Sequence, residues 1–162
     1  MRILVTGGAG FIGSNFVRMI AQGFFKDISM VQILDKLTYA GVEENLLGVS
    51  TIPNYEFFRG DICNPSLVSE LISGVDAVIN FAAESHVDRS ISGAVNFVQT
   101  NIVGVQVLLD AIKASGKKIR FLQVSTDEVY GSIDEGSWSE DWPLQPNSPY
   151  SASKASGELL AR

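Results

Sequence analysis

The sequence is poor in the side chains that most often hold metals or form disulfides, because it contains one cysteine, Cys63, and one histidine, His86. A lone cysteine cannot form a disulfide within the chain and is typical of a protein from a reducing compartment. With a single histidine, a histidine-rich metal site cannot form, and a Ser-His-Asp triad would have to use His86. Disulfide scaffolds, zinc enzymes and serine hydrolases are therefore disfavoured, and we expect no metal.

Positive charge is also scarce, since 12 lysines and arginines face 18 aspartates and glutamates, for a net charge of -6. This balance has the wrong sign for binding nucleic acid or an anionic membrane. Long apolar runs are lacking too: none approaches the length that spans a bilayer, and glycines follow Val5 before any signal-peptide core can form. We expect a cytoplasmic protein with no nucleic-acid or membrane partner.

What the sequence does contain is a regular alternation of short apolar runs and longer helical stretches. With 46% hydrophobic and 19% charged residues over 162 positions, the composition suits one globular domain. The predicted strands are Ile3–Thr6, Val31–Asp35, Tyr55–Arg59, Ala77–Phe81 and Arg120–Ser125. The predicted helices are Phe11–Gln22, Pro65–Ser73, Val95–Ser115, a weaker one at Val42–Leu47, and one from Pro149 to the end. This order predicts an α/β fold with a doubly wound parallel sheet.

A glycine-rich turn follows the first predicted strand and opens the first predicted helix. Gly7, Gly10 and Gly13 are spaced three apart there, a variant of the dinucleotide-binding fingerprint. Such a turn needs a tight bend, close approach of the backbone to a pyrophosphate and close packing of helix on strand. The helix N-terminus would then offer N–H groups to the phosphates. The position of the triplet therefore predicts a Rossmann-type NAD-binding domain.

Asp35 ends the second predicted strand, 22 residues beyond Gly13. A carboxylate at this place accepts hydrogen bonds from the adenosine ribose hydroxyls and repels a 2′-phosphate, which favours NAD over NADP. Lys36, directly beside it, weakens that discrimination a little. We predict NAD as the cofactor.

Four segments together resemble the extended short-chain dehydrogenase/reductase family, and within it the dTDP-glucose 4,6-dehydratases. They are Gly7-Gly8-Ala9-Gly10-Phe11-Ile12-Gly13-Ser14, Phe81-Ala82-Ala83-Glu84-Ser85-His86-Val87-Asp88-Arg89-Ser90, Ser125-Thr126-Asp127-Glu128-Val129-Tyr130-Gly131 and Tyr150-Ser151-Ala152-Ser153-Lys154. The resemblance implies cofactor contacts at Phe11, Ile12, Asp35, Lys36, Leu37, Thr38, Asp61, Ile62, Phe81, Ala82, Ala83, Ser85 and Thr100, in addition to the glycines. It also implies that Ser85 and Thr126 touch the substrate.

Tyr150 and Lys154 lie four residues apart at the start of a predicted helix, so their side chains share one face. A nearby ammonium favours the phenolate form of a tyrosine and prepares it to act as a base. The spacing by itself also fits an exposed helix pair. The resemblance implies that Tyr150 is catalytic, that Thr126 binds the reacting hydroxyl, and that Lys154 also holds the nicotinamide ribose.

Asp127 and Glu128 stand together at the end of the fifth predicted strand. Removing water across C5 and C6 of a sugar needs a base for the C5 proton and an acid for the leaving hydroxyl, and two carboxyl groups can supply both. Two adjacent acids also suit a polar turn, and the residues alone leave that interpretation open. The resemblance favours catalysis, because the dehydratases carry Thr-Asp-Glu here whereas related epimerases carry Ser or small residues.

The resulting prediction is an NAD-dependent lyase that converts a nucleotide-activated glucose, with dTDP-glucose favoured, to the 4-keto-6-deoxy sugar. Two alternatives stay open: a nucleotide-sugar 4-epimerase and a non-catalytic NAD-binding fragment. The chain ends inside its last predicted helix after five strands, whereas such sheets commonly have six or more. We therefore expect residues 1–162 to be an NAD-binding domain without the part that binds the nucleotide of the sugar. The family also implies a homodimer formed through the helices at Val95–Ser115 and Tyr150.

Overall fold

The computed structural model describes residues 1–49 and 54–162, and its centre is a five-stranded parallel sheet. The strands are β1 (Arg2–Thr6), β2 (Met30–Asp35), β3 (Tyr55–Arg59), β4 (Ala77–Asn80) and β5 (Arg120–Gln123). They lie in the order β3-β2-β1-β4-β5, so β1 is central and the chain reverses its direction of winding beside it. This arrangement is the Rossmann-type doubly wound sheet, and that prediction is confirmed.

Helices cover both faces of the sheet because alternate residues of the central strand point to opposite sides. Ile3 and Val5 pack in one core cluster with Val17 of helix α1 (Phe11–Ala21). Leu4 packs in the other cluster with residues of α2 (Pro65–Ile72), including Val68. The strand residues in both clusters are fully buried.

The predicted elements agree with the structure except at a few boundaries and in two short helices. The weak helix at Val42–Leu47 is a 3-10 helix of one turn, Glu43–Leu46. The pattern missed helix α3 (Val87–Ser92) and a second 3-10 turn at Asp127–Tyr130. Both are shorter than the window over which hydrophobic periodicity becomes visible.

The helix predicted at Val95–Ser115 is continuous from Val95 to Ala114 but is not α-helical throughout. It consists of α4 (Val95–Val98), a π-helical segment (Gln99–Gly104) and α5 (Val105–Ala114). Leu108 and Ala111 of α5 pack on the sheet in the core cluster that contains Leu4. The last helix, α6 (Pro149–Ala161), packs beside it.

The continuous helix corrects one expectation about apolar runs. With 20 residues and a mean hydropathy of 1.3, it is long and apolar enough to cross a membrane by length and composition. The core helix of a soluble protein passes the same test, and α5 packs on the sheet through its buried residues. The helix is therefore weak evidence for a membrane, and the cytoplasmic location stays a prediction.

Candidate active site

The glycine turn after β1 has no room for side chains at two of its predicted positions. Gly7 has a φ of +68°, and a Cβ there would lie 2.5 Å from the backbone nitrogen of Ala82. A Cβ on Gly13 would collide with the carbonyl oxygen of Gly7. Gly10 is the N-cap of α1, so the free N–H groups of the first helical turn open directly beside this turn. The geometry suits a bound pyrophosphate.

Asp35 is 8% exposed, and its carboxylate is hydrogen-bonded to the glycine turn after β1. Its Oδ2 accepts a hydrogen bond of 2.9 Å from the backbone N–H of Ala9, and its Oδ1 accepts one of 2.8 Å from that of Leu37. The Asn45 side chain adds a 2.8 Å hydrogen bond to the Ala9 carbonyl oxygen. Asp35 therefore positions the glycine turn, a role that the sequence did not reveal, and it also lines the adjacent cleft.

The cleft lies at the carboxyl edge of the sheet and is open to solvent on one side, with about 560 Å³ of space that includes part of this opening. Most of the predicted cofactor residues line it: Gly7, Gly10, Asp35, Lys36, Thr38, Asp61, Ile62, Phe81, Ala82, Ala83 and Thr100. Gly13, Leu37, Ser85, Tyr150 and Lys154 are not part of the lining, and neither are Phe11 and Ile12, which are exposed on the first turn of α1. The lining residues come from the carboxyl ends of four neighbouring strands, β3, β2, β1 and β4, which is where a doubly wound sheet binds a dinucleotide.

Five further residues line this cleft that the sequence did not indicate as cofactor contacts: Leu34, Ala40, Gly41, Gly60 and Glu84. A local signal existed for Gly60, since it directly follows β3 and precedes Asp61 at the same edge. Leu34 is the β2 residue before Asp35, Ala40 and Gly41 lie in the segment after β2, and Glu84 lies in the segment after β4.

Charge in the cleft is dominated by one ion pair. The Lys36 Nζ lies 2.6 Å from Oδ2 of Asp61, whose Oδ1 accepts a hydrogen bond from the backbone N–H of Cys63. The hydrogen bond to Asp61 raises the pKa of Lys36. Burial opposes ionisation of Asp61, but the hydrogen bonds from Lys36 and Cys63 outweigh it and lower the pKa of that carboxyl. Both groups are therefore charged at neutral pH.

The start of α6 fixes the position of Tyr150. Ser148 and Ser151 form a reciprocal capping box, with both hydrogen bonds between side chain and backbone at 3.0 Å, and Pro149 occupies the first turn. The backbone N–H of Tyr150 donates to Oγ of Ser90 on α3, at 3.1 Å. The helix that carries Tyr150 and Lys154 is thus anchored at its first turn.

Lys154 ties this helix to the end of β5. Its side chain is 5% exposed, and its Nζ donates a 2.6 Å hydrogen bond to the carbonyl oxygen of Val124. Burial lowers the pKa of Lys154 to about 8, and the Glu158 carboxylate partly opposes this effect. Lys154 therefore loses its proton at a lower pH than an ordinary lysine does.

The phenol of Tyr150 corrects one expectation. Burial and the nearby Glu128 carboxylate raise the pKa of Tyr150, and a hydrogen bond with Thr126 only partly opposes them. The ammonium of Lys154 is directed to Val124 and does not lower it. The prediction that Lys154 prepares the phenolate is therefore wrong for this arrangement.

Thr126, Asp127 and Glu128 form the turn that follows β5, next to Tyr150. Oγ1 of Thr126 caps the 3-10 turn by accepting the Glu128 N–H at 3.3 Å, and it donates to Oδ1 of Asp127 at 3.2 Å. The Asp127 side chain is exposed, whereas Glu128 is half-buried. This turn packs against α6, the helix that carries Tyr150, and both carboxylates raise the pKa of that phenol, so the two acids lie near it. The hydroxyl of Ser125, the residue before Thr126, donates a 2.7 Å hydrogen bond to Oε2 of Glu158 on α6.

Asn101 was missed by the sequence analysis and holds the loop after β4. It is 2% exposed and lies in the π-helical segment. Its Oδ1 accepts from the Glu84 N–H at 2.8 Å, and its Nδ2 donates to the Glu84 carbonyl oxygen at 3.0 Å and to Oγ of Ser153 at 2.9 Å. A polar residue on the buried side of an apolar helix was the available signal.

Tyr39 links the loops on the two sides of the cleft. Its hydroxyl donates a 2.9 Å hydrogen bond to the carbonyl oxygen of Ser85, and the Arg89 guanidinium lies 3.9 Å from the centre of its ring. Within the described ranges, no three His, Cys, Asp or Glu side chains are grouped so that they can hold a metal ion.

Comparison with known proteins decides the family. The sequence profile of the GDP-mannose 4,6 dehydratase family matches residues 4–162. The chain belongs to this family. A dTDP-glucose 4,6-dehydratase of Streptomyces niveus is 56% identical over 164 residues, covering 99% of this chain. The low-salt glycan biosynthesis protein Agl12 of Haloferax volcanii is also 56% identical, over 162 residues and 100% of this chain. The predicted resemblance to dTDP-glucose 4,6-dehydratases is confirmed.

Solved structures of relatives share the fold. DesIV, a dTDP-glucose 4,6-dehydratase of Streptomyces venezuelae crystallised with NAD, is 54% identical with a TM-score of 0.94, over 99% of this chain and 50% of that one. UDP-glucose 4-epimerase of Thermus thermophilus, also in complex with NAD, is 35% identical with a TM-score of 0.83, over 99% of this chain and 49% of that one. The chain spans about half the length of the curated relatives it matches: 48% of the Streptomyces niveus protein and 51% of the Haloferax volcanii protein.

Proposed function

We propose that residues 1–162 form the NAD-binding domain of a nucleotide-sugar 4,6-dehydratase, which converts dTDP-glucose to the 4-keto-6-deoxy sugar and water. The observation that carries the proposal is the joint placement of Thr126, Asp127 and Glu128 beside Tyr150 at the carboxyl edge of the sheet. The names of the relatives support the reaction and the sugar nucleotide.

The residues present fit NAD. A Cβ at Gly7 or Gly13 would collide with neighbouring backbone, and a turn without these side chains lets the backbone approach a pyrophosphate closely. Asp35 lines the cleft where a ribose would bind. Asp61 and Ile62 would hold the adenine, and Lys154 would bind the nicotinamide ribose. When bound, NAD would take up the hydride from C4 of the sugar and return it to C6.

Side chains of this chain would carry out the proton transfers of the reaction. Tyr150 would accept the proton of the C4 hydroxyl as the sugar is oxidised. The ketone at C4 acidifies the C5–H bond, and Glu128 would remove that proton and give a proton back to C5 when the hydride is delivered to C6. Asp127 would donate a proton to the C6 hydroxyl, which leaves as water.

Two alternatives remain. A 4-epimerase would use the same fold, since the Thermus thermophilus epimerase shares it, but such an enzyme has no use for two carboxyl groups at Asp127 and Glu128. A non-catalytic NAD-binding fragment would fold and bind the cofactor without turnover. The nucleotide of the sugar would be held by the part of the relatives that this chain does not span, so the base preference belongs to that part.

We also propose a homodimer formed through the long helix and α6. Val95 and Val98 on the first, and Leu159 and Leu160 on the second, are apolar and 40% to 79% exposed. An exposed apolar surface of this kind is typical of a protein contact. The net charge of -6 supports the absence of a nucleic-acid partner, and we keep the cytoplasm as the proposed location.

The test is to incubate the chain with NAD and dTDP-glucose and to follow the C6 methyl signal by proton NMR. A methyl signal that is lost in Asp127→Asn and Glu128→Gln, and kept in the matched surface variant Asp134→Asn, would support the dehydratase. A C4 epimer without a methyl signal would support the epimerase. NAD binding without any change in the sugar, while a full-length relative converts it in the same buffer, would leave the fragment as the better account.

A further inference from the structure

The ion pair between Lys36 and Asp61 follows from the pairing of β2 with β3. Asp35 and Arg59 are partners in the parallel register, and the Gly60 N–H donates to the Asp35 carbonyl oxygen at 2.9 Å. The two chains therefore leave the sheet side by side, and the next residues, Lys36 and Asp61, meet at 2.6 Å. Both line the cleft.

Stabilisation of the fold does not account for this pair. The Lys36 side chain is 58% exposed and that of Asp61 is 30% exposed, and ion pairs at such sites contribute little to stability. What the pair decides is where the positive charge of the cleft lies. Lys36 is the sole cation among the described residues that line it, and three acids, Asp35, Asp61 and Glu84, line it as well.

The position of this cation matters for the choice of dinucleotide. A ribose 2′-phosphate would approach Asp35, which repels it, and a nearby cation is the usual means of accommodating such a phosphate. Lys36 is adjacent to Asp35 in the chain and would serve as that cation if it were free. The other basic side chains near this edge are Arg59, which does not line the cleft, and Arg18, which donates to the Asn45 carbonyl oxygen.

We propose that Asp61 is a specificity-determining residue for NAD over NADP, because it holds the Lys36 ammonium away from the position of a 2′-phosphate. The inference rests on the proposed binding of NAD. It assigns Asp61 an effect on the ribose side of the site, beyond its contact with the adenine. Sequence position alone suggested the opposite, namely that Lys36 weakens the discrimination made by Asp35.

The experiment measures the dissociation constants of NAD and NADP by calorimetry for the chain and four variants, and uses their ratio. NAD and NADP carry the same adenine, so a lost adenine contact weakens both equally and cancels in the ratio. Asp61→Asn keeps the oxygen that accepts the Cys63 N–H and removes the charge that holds Lys36. We expect this change to shift the ratio about tenfold towards NADP, since hydrogen bonds between charged groups are worth at least that much.

Three further variants make the test specific. Lys36→Gln added to Asp61→Asn should return the ratio to within about twofold of the unchanged chain, since the freed cation is then gone. Lys36→Gln alone should leave it within about twofold, because Lys36 is already occupied. Glu84→Gln removes one negative charge from the same cleft without freeing Lys36, and we expect no tenfold shift from it.

Four results would overturn the inference: an unchanged ratio in Asp61→Asn, a shift that survives the added Lys36→Gln, an equal shift in Glu84→Gln, or a tenfold shift in Lys36→Gln alone. The last of these decides the matter even if Asp61→Asn fails to fold. Failure of the unchanged chain to bind NAD would instead refute the proposed function and this inference with it. Binding of NAD with an unshifted ratio would refute the inference alone.

Discussion

Lys154 is a buried ammonium, and its replacement by methionine gives a stability change whose dependence on pH can be calculated. Burial lowers the pKa of Lys154 from 10.5 to about 8. Each pH unit corresponds to about 1.4 kcal/mol, so the charged form costs the native state about 3 kcal/mol relative to the unfolded chain. The side chain is 5% exposed, so solvent does little to reduce this figure.

The sign of the effect follows from proton binding. Between about pH 8 and about pH 10.5 the unfolded chain holds the Lys154 proton while the native protein has lost it, so the stability contributed by this group rises with pH. Below about pH 8 both states are protonated and the full cost is present. Lys154→Met removes this cost and also the hydrogen bond to Val124, which is worth about 1.5–3 kcal/mol when charged.

We therefore expect Lys154→Met to be as stable as the unchanged chain or slightly more stable at pH 7, and to lose about 3 kcal/mol relative to it by pH 10.5. Urea unfolding at several pH values measures both free energies, and other titrating groups cancel in the difference. Lys118→Met, at an exposed lysine, is the control and should show no such trend. A difference that stays constant within about 0.5 kcal/mol across this range would refute the reasoning.

Three other substitutions test the packing and the cleft. Leu108→Ala should lower the free energy of unfolding by about 3 kcal/mol, because Leu108 is fully buried. Leu47→Ala, at a 76% exposed residue outside the proposed dimer helices, should change it by less than about 1 kcal/mol, and equal losses in urea unfolding would contradict this. Gly13→Ala should weaken NAD binding in calorimetry by at least about tenfold, because its Cβ would collide with the glycine turn; wild-type affinity would rule out the predicted pyrophosphate position. Tyr39→Phe should speed NAD release in stopped-flow several-fold, as it loses the hydrogen bond to Ser85 across the cleft, and an unchanged rate would show that this link does not retain the cofactor.

The sequence determined the features that depend on neighbours along the chain. Buried parallel strands need continuous apolar, β-branched runs. The sequence therefore predicts the bounds of β1 and β2 to within one residue at each end. The glycine turn could be predicted because a tight turn between a strand and a helix requires glycine at positions with a fixed spacing. The placement of Tyr150 and Lys154 on one face of a helix could be predicted because residues four apart share a helix face.

The tertiary structure alone decided what distant segments do to one another. The ion pair of Lys36 with Asp61 depends on the order of the strands, and the hold of Asn101 on Glu84 depends on a π-helical segment that no periodicity marks. The pKa of Tyr150 was predicted in the wrong direction, because spacing along a helix says nothing about burial or about the hydrogen bond that Lys154 makes. Hydrogen-bond partners and solvent exposure are set by contacts between elements, and these exist only once the sheet has assembled.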